Sequence, residues 1–102
     1  MQDALEEKRH AIDRLCRRHG VARLHLFGSA LGEDFKPGES DLDLLVELKQ
    51  MKPYERVDAY FGLLNDLRGL LGPNVDLVMA GAVENPYIAR DIERTKRMLY
   101  AA

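Results

Sequence analysis

The stretch Leu24–Leu48, LHLFGSALGEDFKPGESDLDLLVEL, decides how this 102-residue chain folds. It opens as an apolar strand, breaks at Gly28-Ser29, runs through a polar loop and resumes as a second strand headed by Asp41 and Asp43. Positions i and i+2 of a strand point to the same face, so the two carboxylates stand side by side. A cation is the usual remedy for that repulsion. The Gly28-Ser29 turn, next to a predicted helix start, offers backbone N–H groups to a phosphate. A site for a metal and a phosphate is the first reading.

Outward from that stretch, the chain alternates helices and strands. Asp3–His19 reads as a helix, with Asp3 as N-cap and Glu6 completing a capping box. Leu5, Ile12, Leu15, Cys16 and His19 recur at helical spacing and mark its buried stripe, and Gly20 stops it. Arg9, Arg14, Arg17 and Arg18 read as a solvated face. Val21–Phe27 is the first strand, with Leu24 and Leu26 on one face and Arg23, His25 and Phe27 on the other. His25 is read as structural rather than as a base, because no residue pairs with it in sequence. Ala30–Asp34 is predicted to form a helical turn with Ser29 near its N-cap, and Lys36–Ser40 a turn.

Asp41–Leu48 is the second strand. Its Leu42, Leu44, Val46 and Leu48 face is wholly apolar and must pack against helices. Pro53 suits the first turn of a third-quarter helix, Tyr54–Leu71, whose expected stripe is Val57, Phe61, Leu64, Leu67 and Leu71. Gly72-Pro73 ends it. Asn74–Met79 is the third strand and holds Asp76, a lone acid in an apolar run. A buried carboxylate there needs a partner or a cation. Asn85–Tyr100 is predicted as the last helix, capped by Asn85, with Ile88, Ile92 and Leu99 inward.

Composition narrows the function classes. One domain is expected at this length. A net charge of −2 argues against a broad nucleic-acid footprint, so direct DNA binding is not expected. The single cysteine, Cys16, makes no internal disulfide, and no Cys cluster suggests zinc. A reducing cytosol is the expected compartment. The amino terminus has no apolar signal region, and no apolar run approaches a membrane span.

FGS, a loop, SDLDLLV and a later VDLV together resemble the polymerase-beta-like nucleotidyltransferase superfamily. More narrowly, the chain looks like the minimal nucleotidyltransferases called MNT or MntA-like, whose last helix resembles NPYIARDIERTKRMLYAA. The resemblance implies an α/β (α+β) fold: a small twisted mixed sheet of at least three strands, with helices packed on it. It implies that Asp41 and Asp43 hold two Mg²⁺ ions and that Asp76 ligates the catalytic one. Gly28 and Ser29 would hold the outer phosphates of a nucleotide. Mg²⁺ prefers oxygen ligands, and two such ions clamp the attacking and leaving oxygens of phosphoryl chemistry. Asp76 would also accept the proton of the attacking hydroxyl. Two departures stand out. The loop between Ser29 and Asp41 is one residue longer than is usual in the family, and Gly32 stands where many relatives carry arginine.

No segment is left over to bind an acceptor, so the acceptor surface is expected on a partner or a second copy. In the resembling family the partner is a HEPN-domain ribonuclease toxin, whose tyrosine receives AMP from ATP. The implied function is therefore a Mg²⁺-dependent, ATP-using antitoxin. A non-catalytic antitoxin that blocks the toxin by contact, and a small-molecule nucleotidyltransferase, are the alternatives. A homo-oligomer and a hetero-oligomer with the toxin both remain open, and no membrane partner is expected.

Overall fold

The computed structural model describes residues 2–28 and 41–102. Ser29, the predicted turn at Ala30–Asp34, Gly32 and the Lys36–Ser40 turn lie outside the described residues.

Two short helices come first, α1 (Gln2–Glu7) and α2 (Arg9–Arg18). The sequence predicts one helix here. Lys8 instead makes a tight turn, its N–H bonding Leu5 O at 3.1 Å, and α2 restarts with Ile12 N on Lys8 O. Asp3 lies inside α1 rather than at a cap. The break leaves the apolar stripe intact, since Leu5, Ile12 and Cys16 are all buried. Gly20 follows at φ +70°, a left-handed conformation that costs glycine little, and turns the chain into β1 (Val21–Phe27).

Beyond the undescribed segment, β2 (Leu42–Leu48) returns antiparallel to β1. The helix α3 (Pro53–Leu71) then crosses over to β3 (Val75–Met79), which pairs parallel with β2. Pro53 sits in the first turn of α3, where a missing N–H costs nothing, and the Glu55 carboxylate accepts from Lys52 N. Gly72 at φ +110° ends the helix. After β3 comes α4 (Pro86–Thr95), capped by Asn85 Oδ1, which accepts from Tyr87 N at 2.9 Å and Ile88 N at 3.3 Å.

The chain then does something the sequence does not announce. Where a continued helix is predicted to Tyr100, Arg97–Ala101 forms a strand, β4, antiparallel to β1. The sheet order is β3-β2-β1-β4. A bulge in β4 shifts the register between Leu24 and His25, so consecutive residues Leu99 and Tyr100 are both buried. Leu99 thus lies in the core as predicted, but from a strand, and Ile88 is exposed rather than inward.

One sheet face is the core. Leu24, Leu26, Leu42, Leu44, Val46, Val75 and Leu77 pack against Ile12 and Cys16 of α2 and Ala59, Leu63 and Leu67 of α3. The predicted stripe of α3 is rotated. Leu67 is buried and Leu64 and Leu71 are partly so, whereas Val57 and Phe61 face outward. The two core helices are joined by His19, whose Nε2 lies 2.6 Å from Asp66 Oδ2. Among the described residues, no helix is long and apolar enough to cross a membrane.

Candidate active site

The other sheet face carries the acids. Alternation puts Arg23, His25 and Phe27 of β1 on the same side as Asp43, Leu45 and Glu47 of β2 and as Asp76 and Val78 of β3. The register aligns Phe27 with Asp43 and Asp43 with Asp76. Phe27, Asp43 and Asp76 therefore form one row across three strands. Asp41 immediately precedes β2, and Gly28 immediately follows β1, at the same end of the sheet.

This row explains the electrostatics. Asp43 is half-buried, while Asp41 and Asp76 are exposed. Burial pushes the Asp43 carboxyl above the usual carboxylate range, and the charges of Asp76 and then Asp41 push it further. A divalent cation among the three would reverse both effects. Oxygen donors of this kind suit a hard ion such as Mg²⁺.

Gly28 supplies the second half of the fit. Its φ is +70°, and a Cβ built there would lie 2.5 Å from Asp43 Oδ2. Any larger residue would be strained and would close the space above Asp43. The glycine thus lets the Asp43 carboxylate lie directly against the backbone turn. As placed, however, the side chains are not a finished cage: among the described residues, no three His, Cys, Asp or Glu side chains gather closely enough to hold an ion.

His25 lies on this face but is buried, hemmed by Glu47 and Arg23 of the sheet and by Glu93 and Lys96 at the end of α4. Burial and then the Lys96 charge lower its pKa, outweighing the opposite pull of Glu93 and Glu47, so the neutral imidazole is favoured. This fits the structural role read from sequence. Farther along, Ala89 and Ile92 of α4 approach Leu45 across a cleft of about 110 Å³.

Sequence reasoning missed how the sheet edge beside Asp76 is closed. The β3 edge could have offered free carbonyls to another strand, but α3 closes it. Arg68 Nε donates to Val75 O at 3.2 Å and Tyr60 Oη donates to Leu77 O. Ala82 N–H covers the next alternate carbonyl, Met79 O, at 3.1 Å. Arg68 and Tyr60 gave no motif to find, since their role is set by a parallel register that only the folded chain creates.

Comparison with known proteins identifies the family of the chain. Residues 8–99 match the family described as nucleotidyltransferase domain. The chain is 38% identical over 76 residues to "Putative protein adenylyltransferase MJ0128" of Methanocaldococcus jannaschii, covering 74% of each chain. A solved "putative minimal nucleotidyltransferase" is similar at TM-score 0.67 and 30% identity, over 93% of this chain and 92% of that one. The fold is also shared with a complex of tri-AMPylated Shewanella oneidensis HEPN toxin with MNT antitoxin. There the TM-score is 0.62 at 19% identity, over 96% of this chain and 73% of that one.

Proposed function

The chain belongs to the nucleotidyltransferase domain family, and on that premise we propose that it transfers AMP from ATP to a hydroxyl of a partner protein. The observation that carries this reading is the row of Asp43 and Asp76 with Asp41 beside it, the Asp43 carboxylate lying against a glycine turn. The 38% identity to a relative named as a protein adenylyltransferase supports protein as the acceptor. The fold is shared with an MNT antitoxin in complex with a tri-AMPylated HEPN toxin; by analogy, this chain is read as a cytoplasmic antitoxin with a toxin tyrosine as acceptor.

In this reading, Asp41 and Asp43 would hold two Mg²⁺ ions, with Asp76 as a further ligand of one of them. Bound Mg²⁺ would neutralise the polyphosphate and make the α-phosphorus open to attack. The chain's own residues do the rest. Gly28, without a side chain, lets the polyphosphate approach the backbone amides, and Ser29 adds its hydroxyl. Asp76, exposed on β3, accepts the proton of the acceptor hydroxyl as its oxygen bonds the α-phosphorus. The bond to the β-phosphate oxygen breaks, and pyrophosphate leaves.

The test is label transfer. Protein, Mg²⁺ and ATP labelled at the α-phosphate are mixed with a candidate HEPN-domain toxin. The wild type should label that protein and the Asp41→Ala/Asp43→Ala variant should not. If that variant neutralises the toxin fully while neither form labels it, antitoxin action is by contact alone. Labelling of an aminoglycoside with no protein present would instead favour a small-molecule acceptor.

A further inference from the structure

Strand β3 lies at an edge of the sheet and pairs on one side only, with β2. It nevertheless carries Asp76, exposed on the open face. Half of the backbone groups of an edge strand have no neighbouring strand to bond, so its residues are the least constrained in a sheet. Asn74 O accepts from Leu42 N at 3.0 Å, which joins the start of β3 to the residue between Asp41 and Asp43. By alternation the carbonyl of Asp76 also turns toward β2, and those of Val75 and Leu77 turn outward.

Those two outward carbonyls, one on each side of Asp76, are the ones that α3 takes. Arg68 Nε donates to Val75 O at 3.2 Å and Tyr60 Oη donates to Leu77 O, and both bonds are partly buried. The donors are eight residues apart on α3, roughly 12 Å of helix, whereas the acceptors are two apart on β3, roughly 7 Å of strand. Two long side chains therefore converge on the flanks of Asp76. Tyr60 is itself steadied by an edge-on contact with Phe61, ring centroids 5.1 Å apart.

The strand is thus fixed from both sides at one residue. With bonds to β2 on one side and to α3 on the other, the peptide planes flanking Asp76 resist rolling about the strand axis. A roll is the motion that would swing its carboxylate away from Asp43, its neighbour in the register. An exposed carboxylate is not held by packing, so its backbone has to set its direction. Groups that ligate a metal or take up a proton work only when held within about 0.5 Å of the productive geometry.

We infer that Tyr60 and Arg68 are positioning residues for Asp76: they touch no reacting group and act through the carbonyls of Val75 and Leu77 to aim the carboxylate along the acid row. This rests on the adenylyl-transfer reading, but its test separates the two. Tyr60→Phe removes one hydroxyl and keeps the ring, and Arg68→Met keeps an unbranched stem and removes the donor. Both are made in the full chain, alone and together with Asp76→Asn. Mg²⁺ affinity is measured by calorimetry without ATP, transfer kinetics with a candidate HEPN-domain toxin as variable substrate, and melting temperature as the folding control.

Each variant should lower Mg²⁺ affinity and kcat about tenfold. The KM for the protein acceptor and the melting temperature should stay near wild type. With Asp76→Asn already present, neither should lower Mg²⁺ affinity further, because the carboxylate they aim is gone. Unchanged Mg²⁺ affinity and kcat would overturn the inference and leave the transfer reading standing. An equal fall in affinity with and without Asp76→Asn, or a fall in melting temperature alone, would also overturn it, by making the two bonds a brace for the sheet edge. A fall in Mg²⁺ affinity that depends on Asp76, with no transfer by the wild type, would sustain the positioning role and overturn the transfer reading. A wild type that neither binds Mg²⁺ nor transfers AMP would overturn both.

Discussion

Asp43 of β2 and Asp76 of β3 stand directly opposite each other in a parallel register. Two like charges in facing positions of a sheet oppose each other, and here the nearer one is half-buried. A cation between the two would relieve that repulsion.

Replacing Asp43 by Asn should stabilise the fold and abolish transfer. The folded pKa of Asp43 lies above its unfolded value, so the folded chain binds the proton more tightly. The contribution of this group is therefore favourable in acid, below the unfolded value, and is lost as pH rises through the folded one. Asp43→Asn should gain a little stability at pH 7, the effect kept small by solvent screening, and nothing near pH 3. Urea melts across pH would show the gain shrinking, while transfer falls by roughly a hundredfold or more at pH 7.

Mg²⁺ should stabilise the wild type by linkage. At ten times its dissociation constant the expected gain is about 1.4 kcal/mol, read as a rise in melting temperature. Asp43→Asn and Asp41→Ala should lose most of that rise. An equal rise in all three proteins would place the ion elsewhere.

Gly28→Ala should damage both fold and site. The alanine would be held at φ +70° with its Cβ 2.5 Å from Asp43 Oδ2. A cost of about 1–3 kcal/mol in urea unfolding is expected. ATP affinity should fall with it.

Much of this was legible in the sequence. The first three strands could be read from alternation, and Gly20, Gly72 and Asn85 marked their boundaries because each has a local reason to be there. Asp43 and Asp76 could be placed on strands, and the face each occupies on its strand followed from period two, whereas Asp41, read as the first residue of the second strand, lies just before β2. Strand β4 could not be read. KRMLYAA has no alternating pattern, because the bulge buries Leu99 and Tyr100 in succession, and its strand form depends on pairing with β1. The rotation of α3 was hidden by its two apolar stripes. The inward one includes Ala59, whose small side chain gives little signal, and the outward one includes Val57 and Phe61. The facing of Asp43 with Asp76 is likewise a product of register between distant strands.

Gly62 should be as demanding as Gly28, but for packing alone. A Cβ there would lie 2.7 Å from His19 Cε1, and that ring is held against Asp66. Gly62→Ala should cost about 1–3 kcal/mol as His19 is displaced. ATP affinity per folded molecule should be unchanged, which separates this contact from the site.

Cys16 should be inert in the folded chain. Burial first, and the nearby charge of Asp13 second, push its thiol up to about 12. At pH 8 a disulfide reagent should modify it only at the rate of unfolding, and within seconds to minutes in strong denaturant. Fast modification without denaturant would contradict the packing of α2 against the sheet.

The most direct test of the central claim is the intact mass of the partner. A candidate HEPN-domain partner is incubated with ATP, Mg²⁺ and either the wild type or Asp43→Asn, then weighed by mass spectrometry. Addition of AMP by the wild type, and none by the folded Asp43→Asn variant, is the result expected. Equal addition by both proteins would contradict the assignment of Asp43 to the reaction, and no addition by the wild type would contradict transfer itself.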